Sequence, residues 1–311
     1  MAQTKAIVDK LLTQASNIYM PVGFVCEQIL PVVTVKEKSG KLAGYGTAHL
    51  RIENTITGGR GQYRRVESVV RSQSTYYVDS HGLEDIVTPD DYDNVQEPYD
   101  AEEDCALALA NLLYLGKEKS LADALTSTSI ITQNTTLSGT DQYSDFLNSD
   151  PVEDFATARA AVKDGCGMAP NKAVMDWKVA NKLRYHPQIL DSLGFKDSRP
   201  GGLTFEELAQ ALGVQKVLIA EAMYESAKEG QTSSLASVWG KHIVFFHAPD
   251  IAMKRQVSLG YRVQLSRSAP RRVFKYDIPN PPGSKGIICD DHYDQLLSKA
   301  TAAYLIKDAI A

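Results

Sequence analysis

The 311-residue chain is 43% apolar and 23% charged, the balance of a globular protein with room for two domains or one elaborated one. Its net charge of −5 argues against a dedicated nucleic-acid-binding domain, which would be basic overall. No run approaches the roughly 18 apolar residues that a bilayer crossing needs, and MAQTKAIVDKLLTQAS at the start lacks the features of a secretory leader. In that setting the four widely spaced cysteines, Cys26, Cys105, Cys166 and Cys289, read as buried thiols in a reducing cytosol rather than disulfides or zinc ligands.

Residues 4–16 place Ile7, Val8, Leu11, Leu12 and Ala15 at helical spacing, so the chain opens on a short amphipathic helix that needs a surface to lie on. Pro21 and Gly23 end it, and an extended apolar stretch follows over 24–35, interrupted by Pro31. Segment 36–78 differs in character. It has a turn signal at 38–41, a glycine cluster at Gly58, Gly59 and Gly61, short β-prone runs, and few large apolar residues in its middle. Unable to build its own core, it reads as a long hairpin projecting from the body. Its charge is basic: Lys36, Lys38, Lys41, Arg51, Arg60, Arg64, Arg65 and Arg71 against Glu37, Glu53 and Glu67. The next stretch, 79–104, carries eleven acidic residues and no lysine or arginine. A basic projection beside an acidic patch can neutralise itself within one subunit or between two.

Asp100 is an N-cap with Glu103 three residues on, the capping-box pattern, and the acidic first turn suits the helix dipole. The helix it starts passes Ala106, Leu109, Leu112, Leu113, Leu121 and Leu125; about 25 residues at 1.5 Å each give it nearly 40 Å, the spine of a domain. Residues 126–149, rich in Ser, Thr, Asn, Gln and Asp, read as a loop. From Asp150-Pro151 the pattern is compact α/β. A helix ends at Gly165 and Gly167, a short buried strand covers 173–175, and another helix starts at Trp177 and stops near His186-Pro187. Thr204 caps a further helix with Glu207 at its third position. Strands are predicted at 215–220 and 243–247, alternation marks 261–265, and the apolar run 302–310 is a last strand.

Catalytic signatures are missing. There is no G-x-S-x-G elbow, no Walker A loop and no H-E-x-x-H, and Gly58-Gly59-Arg60-Gly61 is not the dinucleotide fingerprint. Asp91-Tyr92-Asp93 starts like a calcium loop, but Val95 and Gln96 stand where a further ligand and Gly are required, so it reads as an acidic surface loop. Arg271-Arg272 reads as a solvated pair, and His242 and His247 flank a core strand. The chain is expected to be no enzyme and to use no metal or cofactor.

The ordered series of segments resembles the major capsid proteins of tailed bacteriophages. The residues that carry the likeness are Leu30-Pro31-Val32 leading into the glycine-punctuated loop, and the acidic lead-in to the long helix. Two later segments follow in the same order. One is Ala169-Pro170-Asn171-Lys172-Ala173-Val174 with Trp177, Leu183 and His186-Pro187-Gln188-Ile189; the other is Val238-Trp239-Gly240-Lys241 before an apolar strand, then Leu259-Gly260-Tyr261. The resemblance implies an α+β fold with an N-terminal arm (1–31), an extended β-hairpin E-loop (32–78), a P-domain (79–149 and 256–298, with the spine helix at 100–125) and an α/β A-domain (150–255 and 299–311). It also implies hexamers and pentamers of an icosahedral head around double-stranded DNA, in the virion and assembled in the bacterial cytoplasm. The implied partners are further copies of the chain, a separate scaffolding protein, a portal, in some relatives a decoration protein, and DNA touched without sequence readout; no membrane is involved. Encapsulin shells share the fold, and a tail or surface-array protein is the rival of another class. On this reading the hairpin contacts are Lys36, Lys38, Lys41, Arg60, Arg64 and Arg65, and their opposites on a neighbour are Asp90, Asp91, Asp93, Glu102 and Glu103.

Overall fold

A computed structural model describes residues 6–45, 52, 56, 71–94, 100–195, 201–228, 230–252, 256–267 and 271–311. The described residues begin with a two-residue strand, β1 (Ile7–Val8), and helix α1 (Lys10–Ile18), capped by the Asp9 carboxylate accepting from the Leu11 and Leu12 amides. Periodicity predicts a helix from residue 4; the structure starts it at Lys10, because Asp9 is the side chain able to take up the free first-turn N–H groups. The extended stretch expected over 24–35 holds a single helical turn, α2 (Cys26–Ile29), before β2 (Val32–Val35). Then come β3 (Ser39–Tyr45), β4 (Arg71–Tyr77), β5 (Asp79–Val87), α3 (Pro89–Asn94) and the spine helix α4 (Ala101–Leu125). Strand β6 (Asn134–Thr136), helix α5 (Pro151–Cys166), strand β7 (Lys172–Asp176) and helices α6 (Trp177–Arg184), α7 (Pro187–Ser192) and α8 (Phe205–Leu212) follow. The strands that follow are β8 (Lys216–Ala220), β9 (Met223–Glu225), β10 (Leu235–Ser237), β11 (Ile243–Phe246), β12 (Tyr261–Leu265), β13 (Arg272–Ile278), β14 (Ser284–Leu296) and β15 (Ala303–Lys307).

These elements form two bodies joined by the spine helix. In one, a five-stranded mixed sheet runs β6-β15-β11-β7-β8. Its central strands β7 and β11 are buried along their whole length, as apolar runs covered on both faces must be. Helices α5, α6 and α8 pack around it, each begun by its own cap: Asp150 to Glu153 N, Asp176 to Lys178 N, and a reciprocal capping box between Thr204 and Glu207. Residues 126–149 belong to this body: β6 runs parallel to β15, and Ile131, Leu137 and Tyr143 are buried in its core.

The other body is a six-stranded sheet with order β1-β13-β14-β12-β2, and β5 on the far edge of β14. The first half of the spine helix lies on it, with Ala106, Leu109, Ala110 and Leu113 meeting Val87, Val273, Ile287 and Cys289. The second half turns Leu121, Ala122 and Leu125 into the core of the α/β body. One helix therefore serves two cores, and the boundary between them falls at Gly116, Lys117 and Glu118.

Candidate assembly interface

The hairpin stem is rooted in the six-stranded sheet. Its two strands pair antiparallel from Ser39↔Tyr77 to Tyr45↔Arg71. At the root, Tyr76 and Val78 bury against Val263 and Leu265, with Val35, Leu42 and Leu296 packed around them. Gly40 makes this possible: a Cβ there would lie 2.7 Å from the Tyr76 hydroxyl. The Val78 amide donates to the Lys38 carbonyl (2.7 Å) and the Tyr77 amide to Asp294 Oδ2 (3.0 Å), so the root has a fixed direction. Lys36, Lys38 and Lys41 stand exposed along the stem. Lys38 Nζ reaches the Ser80 hydroxyl at 3.4 Å within its own chain. Arg60, Arg64 and Arg65 lie outside the described residues.

The acidic candidates divide into two groups. Asp90, Asp91 and Asp93 are exposed on α3, and Glu103 is exposed on the spine helix. Asp91 accepts from both the Thr88 amide (2.8 Å) and the Thr88 hydroxyl (2.7 Å), bonds that hold its carboxyl below the ordinary aspartate value. Glu102 differs, since its partners are already in the same chain. Lys275, Lys285 (2.7 Å) and the Tyr92 hydroxyl (2.7 Å) all donate to its carboxylate. Burial works to raise the Glu102 pKa, but these donors outweigh it and hold it at about 2; burial and the same bond push the Tyr92 phenol up to about 12. Glu102 fastens the start of the spine helix to β13 and β14, so as a contact for a neighbouring hairpin it is not free.

The arm carries the other candidate surface. The amphipathic helix expected there needs a surface to lie on, and α1 finds one on its own chain. Leu12 enters the small core, Thr13 Oγ1 accepts from the Val273 amide (3.0 Å), and Ser16 is fully buried. Beneath it is Arg271, which the sequence read as half of a solvated pair. It is only 3% exposed, donates to the Ser16 carbonyl, and stacks on the Tyr114 ring at 4.1 Å; Arg272 pairs with Asp290 at 2.5 Å. The opposite side of the arm stays uncovered: Ile7, Leu11, Ile18, Met20 and Val22 are 57–91% exposed. Five large apolar side chains in so short a segment are more than scattered surface residues, and make this side of the arm a second candidate contact surface.

A set of buried charges at the boundary between the two cores escapes the sequence reading. Lys117 Nζ pairs with Asp291 at 2.6 Å, and Arg262 pairs with Glu27. Glu118, fully buried, accepts from the Val25 amide (3.1 Å), the Cys26 amide (2.7 Å) and Trp239 Nε1 (2.6 Å). Its signal was present: positions 117 and 118 share the helical face of Leu113, Tyr114, Leu121 and Ala122, where charge needs partners.

All four cysteines are free. Among the described residues, no group of three or more His, Cys, Asp or Glu is placed to hold a metal ion. No protein-family model matches the chain. It is 27% identical over 246 residues to the major capsid protein of Burkholderia phage BcepMu, covering 78% of this chain and 77% of that one. The fold agrees. The capsid structure of cyanophage P-SCSP1u superposes with a TM-score of 0.57 at 11% identity, over 93% of this chain and 89% of the other. Over most of its length the chain resembles the tailed-phage major capsid proteins. A phage-related protein from Bordetella bronchiseptica RB50 matches with a TM-score of 0.75 at 22% identity, over 98% of both chains. The capsid subunit is a structural, non-enzymatic component of the virion that forms the shell of the phage head by self-assembly.

Proposed function

We propose that the capsid subunit builds hexamers and pentamers of an icosahedral head around double-stranded DNA, with the hairpin and the arm as its reach to neighbouring copies. The observation that carries this reading is the rooted basic stem. It projects from a fixed base, with exposed Lys36, Lys38 and Lys41, and its two strands pair with each other alone among the described residues. Asp90, Asp91, Asp93 and Glu103 offer an exposed acidic surface for it on the next subunit, and Arg60, Arg64 and Arg65 extend its basic character. Each such ion pair is weak, about 0–1 kcal/mol when exposed, so closure comes from many copies acting together. Assembly takes place in the bacterial cytoplasm with a separate scaffolding protein and a portal, and a decoration protein where the outer surface receives one. DNA is held without sequence readout, through phosphate contacts alone.

The test is charge reversal. Lys38→Glu with Lys41→Glu, and separately Arg64→Glu with Arg65→Glu, should leave a folded subunit that no longer closes into shells under conditions where the parent does. Normal particles from both double variants would remove the hairpin charges from the account. Particles that close without scaffold around a protein cargo would instead favour an encapsulin-type shell.

A further inference from the structure

We propose that the Glu118 carboxylate couples the seating of the N-terminal arm to the setting of the α/β body on the spine helix, so that a change at either is felt at the other. Glu118 sits where the two cores meet, and its two oxygens serve donors from two segments far apart in sequence, the end of the arm and the loop before β11. The Val25 and Cys26 amides are the free first-turn donors of α2, which ends the arm. The Trp239 indole comes from the loop entering β11 of the α/β body, and its ring is 1% exposed.

The arm's end is also stitched directly to that body. The Glu221 amide donates to the Gly23 carbonyl (3.0 Å), and Lys172 Nζ donates to the Gln28 carbonyl (2.9 Å). Toward the six-stranded sheet the same turn is held by Glu27, which pairs with Arg262 and approaches Lys117 at 3.5 Å. Segment 23–30 is thus a wedge touching the spine helix and both bodies, and among the described residues Glu118 is the one side chain that bonds its amides and the α/β body together. A buried carboxylate with three donors has no water to replace one that withdraws. Loss of the indole bond therefore weakens its hold on the arm, and by reciprocity arm release loosens the tryptophan.

Nothing here depends on the hairpin contacts or on the geometry of the shell, since the link lies within one subunit. Its consequence for a shell is that a neighbour drawing on the exposed apolar side of the arm also changes how the α/β body sits.

Hydrogen exchange of the full-length subunit tests the coupling. Trp239→Phe keeps the ring in place and removes the donor; Trp177→Phe, at the chain's other tryptophan, is the control. Peptides covering Val25 and Cys26 should exchange about tenfold faster in Trp239→Phe, the factor that corresponds to about 1.4 kcal/mol, and at the parent rate in Trp177→Phe. A folded Trp239→Phe with parental exchange there would overturn the proposal. If Trp239→Phe does not fold, Glu118→Gln is read instead: faster arm exchange and a red-shifted Trp239 emission must appear together, and either without the other overturns it.

Discussion

Removing the Lys117 ammonium should be among the most damaging single changes in the subunit. Lys117 is 4% exposed and Asp291 1% exposed, and they meet at 2.6 Å between the spine helix and β14. The Tyr293 ring lies under the ammonium at 4.5 Å, so the site is shielded from solvent on that side as well. Lys117→Met keeps the length and apolar stem of the side chain but strands the Asp291 carboxylate. Breaking a buried pair from one side costs about 3–5 kcal/mol, because the remaining charge stays buried and unpaired. Replacing both partners by apolar groups is often close to neutral. Lys117→Met with Asp291→Leu should therefore recover most of the loss, a rescue that no surface ion pair would give. Urea unfolding of the unassembled subunit, followed by circular dichroism, measures both. A Lys117→Met variant within about 1 kcal/mol of the parent, or a double variant no better than the single one, would refute the claim that this charge pair ties the two elements together.

Three further outcomes follow from other sites. Glu102 has a folded pKa of about 2, below its ordinary value of 4.5, so its stabilising effect is present above pH 4.5 and is lost as pH falls toward 2. The stability gap between the parent and Glu102→Gln should shrink over that window; a gap constant with pH would show that the carboxylate charge is not what Lys275 and Lys285 hold. Gly23 has φ +86°, and a Cβ there would lie 2.9 Å from Glu221 Cβ, so Gly23→Ala should cost about 1–3 kcal/mol, seen as a lower urea midpoint. Thr204→Ala removes a reciprocal capping box and should cost about 1 kcal/mol by the same assay, whereas Thr204→Ser should be close to the parent.

Helices with their own start signals were legible from the sequence. Asp100, Asp150 and Thr204 each begin a helix where the pattern places one, and Gly167 and Gly213 end two of them in left-handed conformation. At the spine helix the detail differs: Asp100 accepts from the Glu102 amide, and the expected partner Glu103 points to solvent. Strand β5 was hidden. Its sequence, DSHGLEDIV, is acidic, contains glycine, and has no apolar alternation, since most of its side chains are exposed on both faces. Only the long strand β14 makes it a strand, by pairing from Val87↔Lys285 to Asp79↔Tyr293. Residues 126–149 misled for a similar reason, with Ile131, Leu137 and Tyr143 buried singly by contacts distant in sequence.

The candidate interface was half legible. Composition alone marks the basic stem and the acidic stretch after it, and Lys36, Lys38, Lys41, Asp90, Asp91, Asp93 and Glu103 are exposed. Charge counting could not separate Glu102 from those neighbours, because Lys275 and Lys285, which satisfy it, come from strands more than 170 residues later. The arm shows the converse. Its helical spacing announces an apolar face, but not that Leu12 and Ser16 turn to the subunit's own sheet while Leu11 and Ile18 turn away.

Self-assembly is the central claim, and light scattering with negative-stain electron microscopy tests it most directly, on the subunit expressed alone and together with its neighbouring genes. The account predicts rings of five and six subunits or closed polyhedral shells, built from a 34.1 kDa chain. A monodisperse monomer under every condition, with the arm's apolar face left in water, would contradict it.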